Sequence, residues 1–365
     1  MPEKLKDIFF TNESIQLLGD AVQQSYRGFD MDQFLVLVYD DTWESLELKA
    51  KMHHVTLALR ETLPQEFPRA LEILRRVAPS IHGFDSLVFP DYVASYGLDH
   101  WDLSMPALAF FTTLCSSEYA VRPFIGRDPQ RAMAYLYEWA GNENEHVRRL
   151  ASEGCRPRLP WGMVLTVFRK DPRLILPVLE RLKDDESEYV RRSVANNLND
   201  ISKDHPDLVL DICESWYGQN EQRDGIVKHA CRGLLKRGNR HAMLLFGFGD
   251  PTHIDVENLT LDREALSIGD DLRYTFELGV KTEGPTKVRL ELRVAYVKAR
   301  GKTSRKVFQI RAHTFDPGRH MISRKLCLAD QSTRNHHPGE HHISTVVNGV
   351  EKARASFVLK APADE

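Results

Sequence analysis

Cysteine is scarce in this chain. Cys115, Cys155, Cys213, Cys231 and Cys327 are spread over 365 residues without a CxxC pair. That excludes a disulfide framework and a zinc site, and it reads as the reduced thiols of a cytosolic protein. No apolar run is long enough to cross a bilayer. The opening Met1-Pro2-Glu3-Lys4 lacks the apolar core of a secretory signal. Walker, GxGxxG, GxSxG and HExxH patterns are missing, so neither a cofactor nor a metal is expected. A strong overall charge is missing too, at −3 net. The balance hides an asymmetry, because residues 281–328 hold 13 basic against 3 acidic side chains. A nearly neutral protein can still present a strongly basic surface.

A repeat occupies the middle of the chain. Asp128-Pro129 is followed nineteen positions on by Val147-Arg148-Arg149, and Asp171-Pro172 nineteen positions on by Val190-Arg191-Arg192. A looser copy runs from His205-Pro206 to Val227-Lys228-His229. Asp-Pro predicts an N-cap and first helical residue, where proline's missing N–H costs nothing. Spacings of 43 and 37 between the three valines suit stacked helix pairs of the HEAT kind. Helical periodicity also marks 14–26, 31–39, 46–63, 70–77 and 107–114. The pattern changes near Phe248-Gly249-Asp250-Pro251, after which alternation predicts strands over 272–278, 288–297, 307–312, 321–328, 341–347 and 353–359. Asn348-Gly349 predicts a type I′ hairpin. The fold class expected is therefore α + β multidomain. Residues 1–250 form an α-solenoid of HEAT-like repeats, and 251–365 an immunoglobulin-like β-sandwich.

In each repeat the valine faces the core, and the positions two and six residues later share one helix face. Stacking turns Arg148, Arg149, Arg191, Arg192 and Lys228, with Arg156 and Arg158 nearby, into a basic column. Such a column fits a phosphate backbone, or acids of neighbouring repeats. Glu118 and Glu153 stand on or beside it. A carboxylate there would repel DNA unless it stabilised positive charge on a sugar and oriented water. The plainer readings are an acid in the first turn of a capped helix for Glu118, and an i,i+4 partner of Arg149 for Glu153. Trp161, in Arg156-Pro157-Arg158-Leu159-Pro160-Trp161-Gly162, could stack on a base or anchor a core. Asp200 closes the run Asn196-Asn197-Leu198-Asn199-Asp200, which also reads as a polar C-terminal turn. The run from His336 to His342 lacks zinc spacing and reads as a polar hairpin loop.

Together these residues resemble the AlkC branch of bacterial DNA alkylation repair glycosylases, HEAT-like relatives of AlkD. The resemblance covers the whole chain. It rests on the Asp-Pro-headed repeats, Ser117-Glu118-Tyr119, the stretch Arg148 to Gly154, the Trp161 segment, the Asp200 run and the C-terminal β-sandwich. It implies monofunctional excision of N3-methylated bases, chiefly 3-methyladenine and also 3-methylcytosine, from bent double-stranded DNA without a buried flipped base. It implies that Glu118 and Glu153 are the catalytic carboxylates and that Trp161, Asp200 and Arg149 line the lesion. A monomer is expected, with no membrane or small-molecule cofactor as partner. The competing reading is a non-catalytic HEAT scaffold that holds DNA or a protein.

Overall fold

A computed structural model describes residues 8–299, 301–330 and 335–361. The opening segment Met1-Pro2-Glu3-Lys4 lies outside the described residues. The chain divides into two compact units, one ending at Ala230 and the other starting at Cys231.

The first unit is helical: α1 (Asn12–Ser25), α2 (Met31–Val38), α3 (Leu48–Thr62), α4 (Phe67–Val77), α5 (Val88–Tyr96), α6 (Trp101–Phe111), α7 (Arg122–Arg127), α8 (Pro129–Trp139), α9 (Glu145–Gly154), α10 (Thr166–Lys170), α11 (Leu176–Leu182), α12 (Glu188–Ile201), α13 (Pro206–Trp216) and α14 (Glu221–Ala230). Amphipathic spacing buries one face of each helix. Val147, Val190 and Val227 are all buried. Their helices α9, α12 and α14 pack side by side, in that order. The repeat seen in the sequence is thus a physical row of helices.

Asp128 caps α8, its side chain accepting from the Arg131 amide. Asp171 does not repeat that role. Its carboxylate accepts from the amide and side chain of Arg173 in a local turn, and α11 begins only at Leu176. The Asx turn competes with helix initiation and delays it by about one turn.

The second unit holds two short helices, α15 (Arg232–Lys236) and α16 (Arg240–Leu245), then β1 (Ile254–Leu261), β2 (Ala265–Ser267), β3 (Asp271–Val280), β4 (Thr286–Val297), β5 (Thr303–Phe315), β6 (Gly318–Cys327), β7 (Gly339–Val347) and β8 (Val350–Lys360). The sheets run β1-β3-β6 and β2-β8-β7-β4-β5, and Phe276, Leu278, Leu290, Val294 and Phe357 share the core of the unit. Asn348 and Gly349 have φ of 47° and 84°, the positive pair that a type I′ turn between β7 and β8 requires.

Strands β1 and β2 were not expected. A register shift between Glu257 and Thr260, with Asn258 at φ 53°, breaks the alternation of β1. Strand β2 is three residues long and pairs in parallel with β8, too short for a pattern. The histidine run is not simply a polar loop either, since His341 lies on β7, fully buried and stacked on Phe357 at 5.4 Å. Burial also reaches into the basic run: Arg289 is buried on β4, donating to Glu291 at 2.6 Å and to Gln309 at 2.8 Å.

Candidate active site

Glu118 sits in the turn between α6 and α7, not in the first turn of a helix. Buried Ser117 anchors that turn: its hydroxyl donates to the Leu108 carbonyl at 2.8 Å, and its carbonyl accepts from the amides of Ala120 and Val121. Glu153 is the penultimate residue of α9, and Asp200 lies in the last turn of α12. Three carboxylates far apart in sequence are thereby delivered to one place by adjacent elements.

Cations alternate with them. Arg149 Nη2 stands 2.8 Å from Glu118 Oε2 and 3.5 Å from Glu153 Oε1. Arg156 Nη1 donates to Glu153 Oε1 at 2.6 Å, and its Nε to Asp200 Oδ2 at 2.9 Å. Lys203 Nζ donates to Asp200 Oδ1 at 2.8 Å. Ser193 Oγ donates to Glu153 Oε2 at 2.6 Å. The order Glu118–Arg149–Glu153–Arg156–Asp200–Lys203 is charge-balanced. Taking such ions out of water costs several kcal/mol each, and alternation is what offsets it. The acids are not equivalent. Both oxygens of Glu153 and of Asp200 accept hydrogen bonds, whereas Glu118 Oε2 is buried beside Arg149 without an aligned N–H. The i,i+4 pairing of Arg149 with Glu153 is the contact that the repeat spacing predicted.

Beneath the cluster, Cys155 is fully buried, with Asn197 Nδ2 3.4 Å from its sulfur. Burial pushes its thiol up to about 12, so the group is neutral. Tyr119, beside Glu118, is also pushed up to about 12, by burial first and the Glu118 charge second. Its hydroxyl remains a proton donor. The Arg149 guanidinium lies over the Tyr189 ring, 4.7 Å from its centroid.

Trp161 has φ of 62° and is 62% exposed. Left-handed backbone costs a non-glycine residue on the order of 1–2 kcal/mol, and such strain concentrates where a side chain must be aimed. Lys49 Nζ donates to the Trp161 carbonyl at 2.8 Å and lies 4.7 Å from the Tyr119 ring centroid. An exposed apolar side chain here is not a core anchor.

The basic column divides. Arg148 donates to both Asp185 oxygens, at 2.7 and 3.0 Å, and to the carbonyls of Asn142 and Glu143. Arg191 donates to the carbonyls of Asp185 and Glu186. Arg158 pairs with Asp204 at 2.8 Å, and Arg156 is buried in the cluster. Arg192 is exposed, with Glu188 no nearer than 3.9 Å. A single outward row of cations, as the spacing predicts, is therefore not what forms: Arg148 turns to the loop before the next repeat helix, and Arg191 turns back to the loop before its own. Lys49, Ser193 and Lys203 had no distinguishing pattern in the sequence. Among the described residues no cluster of His, Cys, Asp and Glu could hold a metal, and no helix is long and apolar enough to cross a membrane.

Two family models match the chain: DNA alkylation repair enzyme over residues 113–232, and the C-terminal Ig-like domain of the uncharacterised protein YhaZ over 255–361. The uncharacterized protein YhaZ of Bacillus subtilis (strain 168) is 43% identical over 354 residues, which is 97% of this chain and 98% of that one. The alkylpurine DNA glycosylase AlkC of Pseudomonas fluorescens, solved bound to DNA containing an abasic site analog, superposes with a TM-score of 0.93 at 38% identity, covering 98% of this chain and 100% of its own. The chain belongs to the AlkC family. Its architecture is a helical domain followed by the Ig-like β domain of that family. The repair-enzyme match begins before Glu118 and ends after Lys203, so the whole charge cluster of this chain lies inside it.

Proposed function

We propose that this protein is a monofunctional DNA glycosylase. It hydrolyses the N-glycosidic bond of cationic N3-alkylated bases, 3-methyladenine and also 3-methylcytosine, in bent double-stranded DNA. The observation that carries this reading is the joining of Glu118, Glu153 and Asp200 in one buried, charge-balanced cluster. The AlkC of Pseudomonas fluorescens, bound to abasic-site DNA, supports DNA as the partner.

The chemistry needs little else. An N3-methylated adenine is positively charged, so it departs neutral with the glycosidic electron pair and requires no general acid. What remains is an oxocarbenium-like sugar, which fixed carboxylates stabilise, and a water whose proton one of them takes as oxygen bonds to C1′. Glu118 is the better candidate for the water, because its side chain is the most exposed of the three acids, at 13% against 7% for Glu153 and 4% for Asp200. Glu153 and Asp200, with all oxygens engaged, act electrostatically. Trp161 packs against the exposed lesion, and Arg149 holds two acids in place.

In this reading residues 1–250 are a HEAT-like glycosylase domain, and 251–365 contact DNA through exposed cations such as Arg305, Lys306 and Arg311 on β5. Bending the duplex costs on the order of a few kcal/mol, offset by phosphate contacts. The protein acts as a monomer in the cytoplasm. Methylated duplex DNA incubated with the protein, with released bases resolved by chromatography, tests the proposal. Free 3-methyladenine is the expected product. DNA binding without released base would leave only a scaffold.

A further inference from the structure

Arg122, the first residue of α7, is fully buried. Among the described residues no carboxylate lies within ion-pairing distance of it. Its three nitrogens instead donate to three backbone carbonyls: Nη1 to Gly154 at 2.9 Å, Nη2 to Arg156 at 2.9 Å and Nε to Met163 at 2.6 Å. Burial pushes its pKa down to about 10, which leaves it charged at neutral pH. A buried cation without a carboxylate costs several kcal/mol, so these contacts must repay a large penalty.

The three carbonyls belong to the two segments that shape the site. Gly154 ends α9, the helix that carries Arg149 and Glu153. Its carbonyl is one of the four a helix leaves unpaired, at the negative end of the helix dipole, where a cation is most favourable. Arg156 and Met163 bracket the strained loop that presents Trp161. The packing is built for this approach. A Cβ on Gly154 would stand 2.6 Å from Val121 Cγ1, and one on Gly162 would stand 3.3 Å from Arg122 Nε and 3.1 Å from Leu159 Cδ2.

We infer that Arg122 is the positioning residue of the site. It caps α9 from outside the helix and staples the Trp161 loop to the carboxylate cluster, fixing the indole relative to Glu118 and Glu153. Only a guanidinium can aim three N–H groups in one plane at three fixed carbonyls; an ammonium cannot reach them together. The inference rests on the glycosylase reading for its catalytic consequence, but its geometric part stands without it.

The geometric part has its own reporter. Trp43, Trp101, Trp139 and Trp216 are 3–6% exposed, so the iodide-quenchable tryptophan emission belongs to Trp161. In Arg122→Lys and Arg122→Met the quenchable emission should change. Single-turnover excision of 3-methyladenine should fall about 100-fold, the cost of displacing reacting groups by about 1 Å, while the Kd for an abasic duplex stays within about threefold. Lys should recover part of the Met loss. If Arg122→Met does not fold, Arg122→Lys and Gly162→Ala, which crowds the staple without removing charge, decide the matter. A folded Lys variant with wild-type quenching and wild-type excision overturns the inference. Absence of excision in the wild type overturns the glycosylase reading instead, and quenching alone then decides whether Arg122 holds the loop.

Discussion

Arg149 Nη2 stands 2.8 Å from Glu118 Oε2, joining the turn before α7 to the face of α9. One guanidinium thereby fixes the spacing between two carboxylates contributed by different elements. The contact makes the two glutamates separable by experiment.

Glu118→Gln should reduce excision by at least about 100-fold, the scale on which loss of one preorganised electrostatic group is felt, and leave DNA affinity nearly unchanged. Glu153→Gln should do the same and also lower the melting temperature, because Arg156, Arg149 and Ser193 all lean on that carboxylate. Single-turnover rates, binding and thermal melts on the two variants separate these effects. A Glu118→Gln enzyme with wild-type excision would sink the assignment.

The division of the basic column predicts opposite behaviour for two arginines. Arg148→Ala strands the buried Asp185 and should cost on the order of 3 kcal/mol of stability, without altering the salt dependence of DNA binding. Arg192→Ala removes an exposed cation and should cost less than about 0.5 kcal/mol. It should lower the slope of log K against log salt by about one. Denaturant melts and salt titrations of both variants check this, and exchanged outcomes would refute it.

His341 predicts an acid weakness of the β unit. Burial holds its pKa below 6.5, with the nearby His342 and His337 adding to the depression. Unfolded, the imidazole takes a proton below about 6.5, while in the fold it stays neutral to lower pH. The unfolded state therefore binds more protons in that window, and stability falls as pH drops through about 6.5. His341→Phe should flatten this dependence in calorimetric scans of the β-unit transition. An unchanged slope would show that other groups govern it.

Ending the chain at Ala230 retains the helical unit and its charge cluster. This truncated protein should keep its helical circular dichroism and a cooperative melt, yet lose excision, because the phosphate contacts proposed for the β unit would be gone. Wild-type excision by the shortened chain would show that the β unit is dispensable.

What the sequence made legible was local. The rows of Val147, Val190 and Val227, the Arg149–Glu153 step and the Asn348-Gly349 turn each follow from a short-range period or a two-residue conformational rule. What stayed hidden was set by tertiary direction. Arg148 and Arg149 are adjacent and chemically alike, yet one turns to Asp185 and the other to Glu118. Nothing in their neighbours distinguishes them. Arg122 stands beside Pro123 with no pattern that marks it, and only the fold shows it buried. At β1 and Asp171 local backbone chemistry overrode the pattern, through a bulge in one case and an Asx turn in the other.

The thiol beneath the cluster bears on the conditions in which such a protein would work. Reagents that methylate ring nitrogens also attack sulfur, and thiolates are far more nucleophilic than thiols. Cys155, Cys213 and Cys231 are buried and Cys327 is exposed, with Cys155 held in its protonated form. The Cys155 sulfur is thus both sheltered and chemically quiet. In the glycosylase reading, that thiol would be a poor target for the agent that creates the substrate.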